Sequence, residues 1–345
     1  MDKNTLFSSF GKWIAPINTV KFQERVDEIN QDKYTKKLTT RAYLLLFLHA
    51  QLQQREGLRE IADDALNEDF QKELHLTSIS ASQLSRKHKQ VDPTLLSEVF
   101  VDLVRQIRLQ AHPSGTRRSL KIIDSSTISL CLSQYGWAKF RKTKAGIKIH
   151  LRLVFADEQT VYPEKAIMTP AKPHDRSQMD VLIDEEGAMY IFDRGYMDFK
   201  RFDHYCDQGI FFASRLKTNT VTHVLRSYDV AEDSPILSDA RVTVGTPQKH
   251  MENVVRLIET TDSEGNIIRI ITNRFDLTAE EIGDIYRHRW AIELFFKWMK
   301  QHVRIKKFYG QTEGAVENQV YLALITYCLM VLIQLEAQSR HSLLQ

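Results

Sequence analysis

The chain has only three cysteines, Cys131, Cys206 and Cys328. Their number is odd and no CxxC occurs, which argues against a disulfide framework; buried free thiols in a reducing cytoplasm are expected. No apolar run is long enough to cross a bilayer. The stretch 320–335 contains Tyr321, Thr326, Tyr327 and Gln334 and falls short of the ~20 residues a span needs, so a buried core helix is expected there. The N-terminus lacks a basic region followed by an apolar core and a cleavage site, so no secretory signal is expected. No internal repeat and no low-complexity tract stands out. A large charge imbalance is missing too, with 47 Lys and Arg against 44 Asp and Glu. These absences point to a cytoplasmic globular protein without membrane contact. Its 345 residues and 43% hydrophobic content allow two or three domains and a sizeable core.

What charge there is lies unevenly. Between Thr116 and Arg152 nine Lys or Arg (117, 118, 121, 139, 141, 142, 144, 148, 152) accompany a single acid, Asp124. Between Ile285 and Gly310 seven (287, 289, 297, 300, 304, 306, 307) accompany only Glu293. A lone carboxylate inside a basic segment, met twice, suits a polyanionic substrate.

Residues 1–75 read as a helical N-terminal domain. Residues 76–112 read as a helical connector, in which Ser80–Lys87 and the amphipathic stretch after Pro93 could form a DNA-binding helix pair. The breaker cluster His112-Pro113-Ser114-Gly115-Thr116 marks a boundary. Residues 113–216 then read as mixed α/β: strands at 120–123, 147–153 (alternating, half-exposed), 162–168, 189–192 and 210–213, with helices at 177–186 and 198–208. Residues 217–276 read as a β-rich insertion, with strands at 242–244, 254–259 and 267–272 and a hairpin turn at 262–266. Residues 277–345 return to helix, opened by the capping box Thr278-Ala279-Glu280-Glu281.

Asp124 and Asp193 each end a short apolar strand, on neighbouring strands at the carboxyl edge where open α/β sheets bind ligands. Taken as one helix stepped at 100° per residue, Tyr286, Arg289, Glu293, Lys297 and Lys300 share an arc of about 80°. Ile292, Phe295 and Met299 face away, toward a core. Two strand aspartates and a helix glutamate can close around a pair of magnesium ions for phosphodiester cleavage. His174-Asp175 sits in a loop after the third strand; it could approach the metals or the DNA, but a surface turn is the leading expectation.

The spacing Tyr286-x2-Arg289-x3-Glu293-x6-Lys300 resembles the YREK signature of DDE transposases of the insertion sequence four family. Asp124-Ser125-Ser126-Thr127 and Asp193-Arg194-Gly195-Tyr196 look like that family's first and second acid motifs. Trp137–Lys144 looks like the basic stretch of one branch, and residues 1–75 resemble the helical domain that opens its members. The resemblance implies an RNase H-like mixed sheet, with the β-rich insertion before the last catalytic helix and an all-α domain in front. It implies two Mg2+ ions, with Mn2+ as substitute, bridged by Asp124 and held singly by Asp193 and Glu293. It implies binding of double-stranded DNA at terminal inverted repeats, strand cleavage, a hairpin intermediate and transfer of the 3′-hydroxyl to target DNA, by a homodimer at the nucleoid. Tyr286, Arg289 and Lys300 would hold phosphates; Lys297, Lys139, Arg141, Lys142, Lys144 and Arg194 are further candidate DNA contacts. One departure concerns the hairpin step: relatives stack a flipped base on a tryptophan of the insertion, whereas Trp13, Trp137, Trp290 and Trp298 all lie outside 217–275, leaving Tyr228 or His250. The alternatives are a metal-dependent nuclease of the same fold and a domesticated DNA-binding protein.

Overall fold

The computed structural model describes residues 10–111, 120–262, 264–302, 308–339 and 341–344. The breaker cluster and Arg117, Arg118, Arg304, Lys306 and Lys307 lie outside them. Helices precede the sheet: beyond the helical residues 10–14, the described ones are α1 (Thr19–Glu28), α2 (Thr40–Leu52), α3 (Leu58–Asp64), α4 (Glu68–Leu74), α5 (Ala81–Gln90) and α6 (Pro93–Ala111). Ala42 to Leu48 of α2 are apolar all round and at most 1% exposed, as a central helix requires. Ser80 and Gln83 form the capping box that starts α5. Lys87, in its basic end, turns inward to Asp32 at 2.5 Å, while Lys89 stays exposed.

The strands are β1 (Leu120–Leu130), β2 (Lys139–Arg141), β3 (Lys144–Phe155), β4 (Val161–Pro170), β5 (Met189–Phe192), β6 (Phe211–Arg215), β7 (Thr222–Tyr228), β8 (Ile236–Thr246), β9 (Lys249–His250), β10 (Val255–Thr261) and β11 (Ile267–Thr272). They build a mixed sheet in the order β2-β3-β1-β5-β6-β11-β10-β8-β7, with β4 on β3 and β9 on β8. β1 runs antiparallel to β3 and parallel to β5. β11 pairs β6, so the strands of 217–276 continue the same sheet.

Three local expectations change. β1 runs on through Leu130, so Asp124 lies within a strand and not at its end. β3 is buried on both faces: its alternate polar residues are not solvated but satisfied inside, and Arg152 reaches Glu164 at 2.7 Å. The helix expected at 177–186 shrinks to a 3-10 turn (Asp175–Gln178) and one helical turn (Met179–Leu182).

Four longer helices follow β1: α7 (Phe199–Asp207), α8 (Ala279–Arg287), α9 (Trp290–His302) and α10 (Glu313–Glu336). The single helix expected after Thr278 is two. The i→i−3 bonds His288 N–H to Ile285 O and Arg289 N–H to Tyr286 O tighten the chain between them. By length and composition α10 could cross a membrane, but 78% of its apolar window is buried within the protein, against α6, α2 and β4. Of the thiols, Cys328 is buried, Cys206 half-buried and Cys131 exposed just past β1; its apolar neighbours Leu130 and Leu132 misled the expectation of burial.

Candidate active site

Leu120, Lys121 and Ile122 of β1 pair in parallel with Met189, Tyr190 and Ile191 of β5. Continuing that register by two residues sets Asp124 level with Asp193, which follows the last residue of β5. α9 packs against β1; its Ile292, Phe295 and Met299 are fully buried in the cluster that also holds Ile122 of β1, and Glu293 lies close enough for its charge to act on Asp124. Asp124 lies within reach of the charges of Asp193 and Glu293. Burial is the main cause that lifts the Asp124 carboxyl to about 7; the negative charges of Asp193 and Glu293 add to it, while the Ser125 amide and Arg289 oppose it.

Each carboxylate also has a local donor. Asp124 Oδ1 accepts the Ser125 amide at 2.7 Å, Asp193 Oδ1 accepts the Gly195 amide at 2.7 Å, and Glu293 Oε1 accepts Arg289 Nη2 at 2.6 Å. Among the described residues no three His, Cys, Asp or Glu stand gathered closely enough to hold an ion as placed; Glu293 is paired with Arg289.

The break between α8 and α9 changes how Tyr286 reaches this place. Its ring is core, packed with Ile191, Ala213 and Ile282. Its hydroxyl is buried, makes no well-formed hydrogen bond among the described residues, and lies close to the Arg215 backbone and within electrostatic reach of Arg289 and Asp193. Lys300 is half-buried, and Lys297 is exposed along a groove of about 420 Å³ shared with Gln51 and Gln54. Arg194 is exposed in the turn after Asp193. Lys139, Arg141, Lys142 and Lys144 are all exposed on the β2–β3 hairpin.

The basic segment is smaller in space than in sequence. Lys121 is fully buried, with Glu164 at 3.0 Å and Glu185 at 2.5 Å. Lys148 is paired with Asp175 at 2.9 Å, and Arg152 is buried. None of these three faces a ligand. The Asp175 turn is at the surface as expected, with His174, Arg176 and Ser177 exposed, but its carboxylate turns inward: Ser125 Oγ donates to it at 2.6 Å, next to Asp124. Trp290, 56% exposed, sits one turn before Glu293, an aromatic surface that a search for tryptophan within 217–275 passes over. Tyr228 packs beneath Arg226 and Arg256, 5.4 and 5.7 Å away, whereas His250 is exposed.

Comparison with known proteins sets this geometry in a family. Residues 115–329 match the family described as "Transposase DDE domain", and residues 5–76 match "Domain of unknown function (DUF4372)". Over 300 residues (86% of this chain, 77% of the relative) the sequence is 28% identical to a Geobacillus stearothermophilus protein named as a transposase for insertion sequence element IS5377. Over 244 residues (68% and 66%) it is 32% identical to a Sinorhizobium fredii protein named as transposase y4zB. A piggyBac transposase synaptic complex with hairpin DNA, solved by cryo-electron microscopy, aligns with a TM-score of 0.46 at 9% identity, covering 97% of this chain and 74% of that one; nothing further follows at that level of likeness. The match to the DDE domain spans well over half of the chain and contains all three acids, and the chain belongs to the DDE transposase family, enzymes of DNA strand cleavage and transfer.

Proposed function

We propose that this chain is the transposase of a bacterial insertion sequence of the insertion sequence four branch. In this reading it binds terminal inverted repeats as a homodimer, cuts there, and joins the freed 3′-hydroxyl ends to target DNA. The observation that carries the reading is the parallel register of β1 and β5, which brings Asp124 level with Asp193 while Glu293 acts on the same carboxyl from α9. The order β4-β3-β1-β5-β6, antiparallel on one side of β1 and parallel on the other, supports an RNase H-like core.

Three carboxylates are the hard oxygen donors that Mg2+ takes, with Mn2+ as substitute; Asp124, Asp193 and Glu293 would hold the ions between them. Divalent ions bound there would supply Lewis-acid polarisation of the attacking water and the leaving oxygen. The remaining work belongs to side chains. Arg289 neutralises Glu293 as the site stands. A DNA phosphate offers its guanidinium a bidentate alternative, so gripping the phosphate and freeing Glu293 are one exchange. The Tyr286 hydroxyl, within reach of Arg289 and Asp193, donates to a phosphate oxygen nearby. Lys300, Lys297 and Arg194 add positive charge around the cut, and the Lys139–Lys144 hairpin holds the flanking duplex. A hairpin intermediate places its flipped base against Tyr228 or His250; of the two, His250 is the more open.

The test is to incubate the full chain with Mg2+ and a labelled duplex carrying the DNA that flanks its coding region. Cut and joined products are expected. Cutting without joining would favour the nuclease, and binding without cutting the domesticated regulator. A second measurement bears on the basic β2–β3 hairpin. Changing Lys139, Arg141, Lys142 and Lys144 together to alanine should flatten the slope of log K against log salt by up to about 3.6, at about 0.9 for each phosphate no longer neutralised. An unchanged slope would place the duplex elsewhere.

A further inference from the structure

Asp124 and Ser125 are consecutive residues of β1, so their side chains leave opposite faces of the sheet. Asp124 faces α9. Ser125 faces the loop of Asp175–Gln178, and there it meets a polar cluster that the three-carboxylate site does not use. Ser125 pairs across the strands with His150. Its Oγ donates to Asp175 Oδ1 at 2.6 Å. Lys148, two residues from His150 on the same face, reaches that oxygen at 2.9 Å and also donates to Pro173 O at 3.1 Å, so the loop is pinned to β3. The fully buried His150 is held by Thr169 at 3.0 Å, and its Nδ1 lies 3.7 Å from Asp175.

The cluster reaches the second acid through Tyr196. This residue ends the turn that Asp193 begins, in which Asp193 caps the Gly195 amide. Tyr196 is 1% exposed. Its hydroxyl makes no well-formed hydrogen bond among the described residues, but it lies near enough to Ser125 to interact with it and within reach of the charges of Asp124, Asp175 and Asp193. The 3-10 turn carrying Asp175 packs directly on the turn carrying Tyr196. One carboxylate, itself held by a lysine, thus ties down the residue after Asp124 and abuts the residue three after Asp193.

Resting on the two-metal reading, we propose that Asp175, Ser125 and Tyr196 form a brace behind the sheet that sets the spacing between Asp124 and Asp193. Asp175 is then a positioning residue. It touches neither substrate nor ion, and it acts by fixing the Asp124–Ser125 peptide, whose amide holds Asp124 Oδ1 and leaves the other oxygen free. Mg2+ demands near-ideal octahedral geometry, so a small change in that spacing weakens binding without unfolding the protein. Outer partners that orient ligands are typically worth 10–100-fold in metal affinity.

The experiment measures Mg2+ affinity by calorimetry on the full chain saturated with pre-cleaved element-end duplex, with melting temperature and DNA affinity alongside. The variants are Asp175→Ala, Ser125→Ala and Ser125→Thr, with Asp124→Asn to identify the heat that belongs to the site. The first two should lose about 10- to 100-fold in Mg2+ affinity while DNA affinity holds, and Ser125→Thr, which keeps the hydroxyl, should recover most of it. If Asp175→Ala does not fold, Ser125→Ala decides alone. Wild-type Mg2+ affinity in a folded Ser125→Ala would overturn the brace and leave the two-metal reading standing. If the wild-type chain shows no Mg2+ heat that Asp124→Asn removes, both fall together.

Discussion

Asp124→Asn is expected to lower strand cleavage on the order of 10³-fold or more, with DNA affinity unchanged and the melting temperature equal to or above that of the parent. The two halves of this result are linked. Asparagine keeps the shape of the side chain and can still accept the Ser125 amide. It removes a charge that the fold accommodates at a cost, because Asp124 is withdrawn from water and sits among the charges of Asp193 and Glu293, causes that together lift its carboxyl to about 7. A residue kept for stability would behave in the opposite way, since losing it would soften the protein. Residues kept for chemistry against the interest of the fold mark functional sites. Comparing melting curves without added divalent ion with cleavage of labelled element-end DNA checks both halves. A marked drop in melting temperature would assign Asp124 a structural role.

Glu164→Ala is expected to destabilise the fold by about 3–5 kcal/mol. Glu164 accepts both Lys121 at 3.0 Å and Arg152 at 2.7 Å, two cations that are almost wholly withdrawn from solvent. Removing it leaves Arg152 its bond to Asp184 and Lys121 its pairing with the half-exposed Glu185. Neither replaces a buried carboxylate. Lys121→Met is expected to be near neutral by contrast, because an apolar side chain of similar volume suits the site and Glu164 keeps Arg152. It should also leave DNA affinity and its salt dependence unaltered. Denaturant melts of the two variants, with DNA titrations beside them, test the pair. A loss of DNA affinity in Lys121→Met would return this residue to the substrate surface.

That pair also shows where sequence reading loses information. Lys121, Lys148 and Arg152 look like part of a basic segment because their partners, Glu164, Glu185, Asp175 and Asp184, lie outside it in sequence. Charge counted along a chain cannot register neutralisation across strands. The core strands were legible because they are apolar and short, and the two aspartates stood out because each closes such a run. The continuation of β1 past Asp124 was not legible, since Ser125, Ser126 and Thr127 look like a loop and become a strand only by pairing with β3. β7 was missed for a related reason: its middle residues are exposed on both faces, so it has no two-residue apolar rhythm. The capping box of Thr278 was plain and is present, but the break at His288–Arg289 was not. Nothing in Arg287-His288-Arg289-Trp290 forbids a helix, and the turn follows from packing Tyr286 into one cluster and Ile292 into another. Asp175 was visible as part of a His-Asp pair, but its partner Ser125 is fifty positions away, a pairing that only the fold makes.

The central claim is that Asp124, Asp193 and Glu293 serve one set of divalent cations. The most direct measurement is an anomalous difference map from crystals of the protein bound to element-end DNA and soaked in Mn2+. Density is predicted in contact with Asp124 and with Asp193 or Glu293, with Arg289 moved from Glu293 onto a phosphate. Well-ordered carboxylates with no anomalous density between them, and Arg289 still paired to Glu293, would contradict the account.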